Sequence, residues 1–360
     1  MITDKLFIVD AHLDLSMNAM EWNRDLRIPI EDLNRREASL TDKPDRGHAT
    51  VSFGELHKGR IGLVVATQIA RYAGPGSSLQ GWMSPEQAWA QTQGQLAWYR
   101  TMEEAGLMRM IKNGDELDAH LDLWMGNNPS DNKPIGFLLS LEGADSLVSL
   151  DYLERAYEYG LRAVGPAHYG PGRYANGTDS SGRLNADGQA LLKKMEELNM
   201  ILDVSHLNDD AFWHALELYH GPLWASHSNC RALVDHNRQL SDDMILALIE
   251  RDAVIGVALD AWMLTPGWQR GVSLPRATNC SLRAVADNID HICQLAGNSQ
   301  CVAIGSDLDG AFGTEQCPYE VRKISDIHKL FDILRKRGYE RDDIEAVANG
   351  NMIAFLRLSM

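Results

Sequence analysis

Short apolar, β-branched runs recur along the chain, each closing on a small or polar residue, with helix-like stretches between them. The runs are residues 6–9, 61–69, 134–141, 161–165, 200–204, 222–225, 253–259 and 301–304. They are nearly continuous rather than alternating, the signature of parallel strands buried on both faces. Helical spacing marks 84–106, 150–159, 185–198, 209–219, 241–250, 281–296, 319–337 and 342–356. The first of these opens Ser84-Pro85-Glu86, an N-cap followed by proline at the first helical position. Eight strands alternating with helices predict an α/β fold, a (β/α)8 TIM-type barrel. A doubly wound open sheet is the competitor; the first run is not followed by G-x-G-x-x-G, which disfavours its dinucleotide-binding form.

Two segments read as insertions, 20–50 and 169–182. The second (YGPGRYANGTDSSG) is rich in Gly, Asn and Ser and reads as a surface or lid loop. No side-by-side repeat, charge run or low-complexity linker divides the chain, so a single domain over 1–360 is expected.

The strand ends carry the chemistry. His12 and Asp14, Glu142, His206, His227 and Asp307 stand at the C-terminal ends of five of the eight runs. In a parallel barrel those ends share one face, where barrel active sites lie. His12-Leu13-Asp14 places two donors two residues apart, on one side of an extended strand; the plainer reading is a core histidine and a capping aspartate. Glu142 ends an apolar run, where a carboxylate is costly unless paired or coordinated; a loop-capping ion pair is the plainer alternative. His206 (LDVSH) and His227 (LWASH) occupy the same position on successive strands, and that repetition favours ligation over structural roles. Imidazole and carboxylate donors together suit Zn2+, with Mn2+, Co2+ or Fe2+ as alternatives.

Asp307, in GSDLDG, reads as a ligand or proton shuttle against a plain turn cap, and Asp309-Gly310 as the turn that ends the strand. His168 and Arg238 are candidate substrate contacts, the arginine suiting a carboxylate; taken singly, each is more simply a loop residue. His57, His214, His220, His291 and His328 show no partner pattern, and Cys230 reads as a small buried residue. Trp22, Trp82 and Trp262 follow strand ends, which makes them pocket-lining candidates, and core packing is their expected role. Neither a G-x-S-x-G elbow nor a phosphate-binding G-x-x-x-x-G-K-[ST] loop is present.

Composition narrows the class. The 360 residues include 34 Lys+Arg and 50 Asp+Glu, a net charge of −16, which argues against nucleic acid or an anionic membrane as partner. With 44% apolar and 23% charged residues the chain can build a large core. Five cysteines without a C-x-x-C argue against a disulfide framework. No leader or bilayer-length apolar run is visible, so a cytoplasmic setting is expected.

VDAHLDLS, LSLEGADSL, LDVSHLNDD, WASHSNCRAL with RQLSDDMI, VAIGSDLDG and GYERDDIEAVANGNMIAFLR occur in one order from Val9 to Arg357. The set resembles the membrane (renal) dipeptidase family of zinc peptidases, within the amidohydrolase-like metal-dependent hydrolases. The resemblance implies a barrel with two zinc ions: His12 and Asp14 on the first, Glu142 bridging, His206 and His227 on the second. It implies Asp307 as acid/base, His168 as the contact to the scissile carbonyl and Arg238 as the contact to the substrate carboxylate. The substrate it implies is a dipeptide, including one with a C-terminal D-residue, and family members are often homodimers. The chain departs from the family at Glu142-Gly143-Ala144, at Pro166-Ala167-His168 and at Asp260-Ala261-Trp262. With Tyr169, Asp260 and Trp262 unplaced, hydrolysis of an N-acyl amino acid, lactone or phosphoester stays open. A non-catalytic metal-binding barrel would be expected to lack ligands, and all five ligand positions are filled.

Overall fold

The structure is a computed structural model describing residues 6–74, 79–126 and 133–360. Nine strands are present among them: β1 (Ile8–Leu13), β2 (Ile61–Gln68), β3 (Met108–Met110), β4 (Ile135–Glu142), β5 (Leu161–Gly165), β6 (Ile201–Asp203), β7 (Leu223–Ala225), β8 (Val254–Val257) and β9 (Val302–Ile304). Every pairing is parallel. β1 pairs with β2, β2 with β4, and the order runs on through β5, β6, β7 and β8 to β9, which returns to β1 through Asp10 and Ile304. Eight strands thus close a ring, and these are the eight that the apolar runs predict.

The ninth strand, β3, lies outside the ring against Ile135–Phe137 of β4. Three residues with an exposed arginine in the middle are too short for a hydrophobic pattern to reveal. Five α-helices among the described residues also escape the sequence pattern: Leu15–Met20, Ile30–Glu37, Phe53–Lys58, Gly114–Met125 and Ala261–Leu264. The expected helix over 319–337 starts late, with a 3-10 turn at Ile324–Ile327 and the α-helix at His328–Lys336. That over 342–356 is α, then a π-turn at Ala346–Gly350, then α again.

Local chemistry explains the helix starts. Ser84, Asn113, Asn185, Asn208, Ser241 and Ser281 each accept a hydrogen bond from a backbone N–H of the first turn. The ring strands are buried along almost their whole length, because helices cover the outside and packed side chains fill the inside. Burial of this much Val, Ile, Leu and Ala, at roughly 25 cal/mol per Å2 of apolar surface, is the main source of stability. Among the described residues no helix is long and apolar enough to cross a membrane.

His120 sits beneath the ring, with its Nε2 2.7 Å from the Gly62 carbonyl. Burial pushes its pKa down to about 4. The unfolded chain therefore takes up a proton there that the fold resists, so stability contributed by neutral His120 is lost as pH falls from about 6.5 toward 4. Urea midpoints measured across this interval should fall less steeply for His120→Gln than for the wild type. Parallel slopes would remove His120 from the acid response.

Candidate active site at the barrel rim

His12 lies near the end of β1 and Asp14 just beyond it, Glu142 closes β4, and His206, His227 and Asp307 follow β6, β7 and β9 by a few residues. The ring carries them to one place. Glu142 Oε1 stands 3.1 Å from His206 Nε2, 3.3 Å from His227 Nε2 and 3.6 Å from His12 Nε2. His12 Nε2 is 3.8 Å from Asp14 and 3.9 Å from Asp307. Two donor triads share Glu142: His12–Asp14–Glu142 and Glu142–His206–His227, each with its ligand atoms within 4.8 Å of one another. His168 Nε2 is 3.8 Å from the same Glu142 oxygen, and Arg238 lines the same cavity of about 430 Å3. All eight residues singled out in the sequence therefore converge.

The donor set fits a metal. Ligands about 2.0–2.1 Å from one tetrahedral ion stand about 3.4 Å apart, within the range of these separations. His12 Nε2 is buried with no hydrogen-bond partner. The outer nitrogens are occupied by hydroxyls: Ser226 Oγ is 3.2 Å from His12 Nδ1 and 2.8 Å from His227 Nδ1, and Thr178 Oγ1 is 3.0 Å from His206 Nδ1. Such partners orient the rings and leave each Nε2 turned inward.

The electrostatics reflect three carboxyls, Asp14, Glu142 and Asp307, buried close together. Burial lowers the pKa values of His206 and His227, so both rings are neutral. Burial, with the charge of Glu142 beside it, pushes Asp14 up to about 7. Burial also raises Asp307 well above the usual carboxylate range, and Asp14, Glu142 and Asp260 add to the effect. Burial opposes ionisation of Glu142 too, but His12 and His168 outweigh it and hold that carboxyl well below its ordinary value. Burial opposes a charge on His12, but Glu142, Asp14 and Asp307 push its pKa up to about 10. Carboxyls crowded at one point, beside two neutral imidazoles, are the environment that a divalent cation stabilises.

Asp307 is held in the left-handed region at φ 56°, with its N–H donating to the His12 carbonyl at 3.2 Å. A Cβ on Gly310 would lie 2.0 Å from Asp307 Oδ1, so only glycine leaves the carboxylate room. Asp309 is more than the turn residue the sequence suggests. Its carboxylate accepts from Thr50 N at 2.8 Å, Thr50 Oγ1 at 2.7 Å and Val51 N at 2.9 Å, and Arg24 lies 3.9 Å away. Arg24 itself is buried against Glu37 and Asp45. The 20–50 insertion thereby anchors the loop that carries Asp307.

The 169–182 segment is likewise more than a surface loop. Thr178 is buried, bonds His206 through its hydroxyl, and donates its N–H to the His168 carbonyl at 2.9 Å. Gly177 is needed beside it, since a Cβ there would fall 1.8 Å from the His168 oxygen.

Several site residues escaped sequence reasoning. Asp203 forms a third cluster with His12 and His227. Its Oδ1 is taken by Ser205 N, Ser205 Oγ and Ser226 N, which makes it a support for the two histidine turns. Arg71 donates to His168 Nδ1 at 2.6 Å. Arg270 stands 3.7 Å from Asp260, donates to the Tyr169 hydroxyl at 3.2 Å and lies over the Trp262 ring at 4.8 Å. Burial raises Asp260 to about 6 against the pull of Arg270. Only the position of Arg71 just past a strand end could have signalled it.

The groups set aside stay outside the cluster. His291 pairs with Asp242, His328 bonds the Gly59 carbonyl, and His57 stacks on Trp124. Burial pushes the Cys230 thiol well up, consistent with an inert packing role. Trp22 donates to Asp45 and Trp82 is exposed, whereas Trp262 lines the cavity rather than the core.

A parallel (β/α)8 ring with clustered imidazole and carboxylate donors at its C-terminal rim has the form of a metal-dependent hydrolase. The family model of membrane dipeptidase (peptidase family M19) matches residues 1–358, and the chain belongs to that family. Dipeptidase aclJ of Aspergillus oryzae is 29% identical over 62% of this chain and 51% of its own. A dipeptidase described as a metallopeptidase superposes with a TM-score of 0.78 at 20% identity, covering 99% of both chains. A metallopeptidase from Rhodobacter sphaeroides, solved with a phosphinate mimic of the dipeptide L-Ala-D-Ala, gives 0.77 at 19% identity, covering 99% of this chain and 100% of that one. At such identities these structures speak for the fold. The chain spans about half the length of several curated relatives that it matches.

Proposed function

We propose that this chain is a zinc-dependent dipeptidase, with His12 and Asp14 holding one ion, Glu142 bridging and His206 and His227 holding the second. The observation that carries this reading is the pair of donor triads sharing Glu142. Bound divalent ions would supply Lewis acidity toward a scissile carbonyl and a water of lowered pKa.

The protein's own groups complete the reaction. Asp307 accepts the proton of the attacking water and delivers it to the leaving amine. Its raised affinity for a proton, set by burial beside Asp14 and Glu142, suits the second half of that transfer. His168 faces the scissile carbonyl. Arg238 is buried, with three N–H groups donating to Ser205 O, Ser228 Oγ and His227 O. Of five N–H donors, two remain for a substrate carboxylate. A fixed cation in a cavity of about 430 Å3 favours short substrates with a free C-terminus.

Residues 1–360 are read as a single domain, supported by the pairing of the first strand with the last. A reducing, cytoplasmic setting belongs to the same reading, supported by five free cysteines. Tyr169, Arg270, Asp260 and Trp262 favour keeping other small amides and esters as the second reading, because they form a charged wall of the cavity. Zinc-loaded protein incubated with L-Xaa-L-Ala and L-Xaa-D-Ala dipeptides should release free amino acids, and a chelator should abolish release. Metal analysis should find two ions per chain. A two-ion protein inert toward every dipeptide would transfer the site to the second reading.

A further inference from the structure

The cavity wall holds one contact whose chemistry permits a single assignment. Arg71 lies three residues beyond the end of β2, and its Nη2 is 2.6 Å from His168 Nδ1. A guanidinium has N–H donors and no acceptor, and it stays protonated. The imidazole nitrogen facing it must therefore be an acceptor, and the only proton of a neutral His168 must sit on Nε2. That nitrogen is the one on the reactive side, 3.8 Å from Glu142 Oε1.

We propose that Arg71 is a positioning residue that locks His168 in the Nε2–H tautomer, so that a hydrogen-bond donor is always presented to the substrate's scissile carbonyl. The inference rests on the reading of His168 as the residue facing that carbonyl. Free imidazole exchanges between two neutral tautomers, and in one of them Nε2 is a lone pair that repels a carbonyl oxygen. A donor pre-set toward developing negative charge costs no reorganisation at the moment of reaction. The rest of the histidine is fixed independently. Its carbonyl accepts from Thr178 N at 2.9 Å, and a Cβ at Gly143 would already be 3.3 Å from its own. The backbone is thus held by one loop while the proton is placed by another. Arg71 is held in turn by its Nη1, which donates to the Gln80 carbonyl at 3.2 Å.

The test is nitrogen NMR on zinc-loaded protein labelled with 15N-histidine, with the His168 signals assigned by their loss in His168→Phe. The wild type should show Nδ1 as the unprotonated, pyridine-type nitrogen and Nε2 as the protonated one. Arg71→Met should shift both signals toward mixed or reversed protonation. It should also lower kcat about 10- to 100-fold, the usual cost of losing a partner that orients a reactive ring, with KM changed much less. Arg71→Lys, which restores a donor on a flexible stem, should recover both the spectrum and part of kcat. A protonated Nδ1 in the wild type overturns the proposal, as does an Arg71→Met spectrum identical to the wild type in a folded protein. If wild-type protein hydrolyses no dipeptide, the substrate reading fails while the nitrogen spectrum still decides the tautomer, so the two failures are distinguishable.

Discussion

Replacing Asp307 with asparagine is expected to leave metal content unchanged and to lower kcat by about 10²- to 10⁴-fold, the usual contribution of a positioned acid–base group. Asparagine keeps the shape of the side chain and the left-handed backbone at φ 56°, which Asn tolerates better than most residues. It removes the proton-carrying capacity alone. Asp307 reaches His12 only at 3.9 Å, whereas the shared carboxylate of both donor triads is Glu142. Metal analysis beside steady-state kinetics separates the two roles. A metal-loaded Asn variant with ordinary turnover would take proton transfer away from Asp307. A variant that loses an ion would make Asp307 a ligand.

Asp309→Ala is expected to produce the largest loss of stability at a residue outside the donor cluster. The carboxylate is buried and meets the Thr50 and Val51 N–H groups and the Thr50 hydroxyl, with Arg24 at 3.9 Å. Removing it leaves those donors and part of the Arg24 charge without a counterpart. The cost of stranding a buried charged partner is about 3–5 kcal/mol. Urea unfolding should show it as a lower midpoint. Turnover should fall as well, because Asp309 lies two residues from Asp307 on the loop tied to the 20–50 insertion. A loss below about 1 kcal/mol would show that Glu37 and Asp45 satisfy Arg24 unaided.

The ring strands were legible because a strand buried on both faces must be apolar throughout, and runs such as Ile135–Leu141 leave little alternative. The helix starts were legible because capping is local: Ser84, Asn185 and Ser241 bond the turn they precede. The helix Ile30–Glu37 was not, since much of its surface is charged and it sits inside a segment that reads as an insertion. Asp309 looked like a turn residue because its partners, Thr50 and Val51, are more than 250 positions away. Arg71 carries only its place just past a strand end, and Arg270 no local signature; both acquire meaning from what they face.

The chain's local pattern is enough for the order of the eight ring strands and the long helices between them, the (β/α)8 class and the residue types at the strand ends. Those follow from periodicity, burial and capping, each of which acts over a few residues. Only the closed ring makes Glu142 the common neighbour of four histidines, sets Ser226 and Thr178 against the outer nitrogens of three of them, and brings Arg71 to His168. Such contacts join residues up to a few hundred positions apart through the closing of the ring. Their hydrogen bonds depend on distances of a few tenths of an ångström, which no pattern of neighbours along the chain encodes.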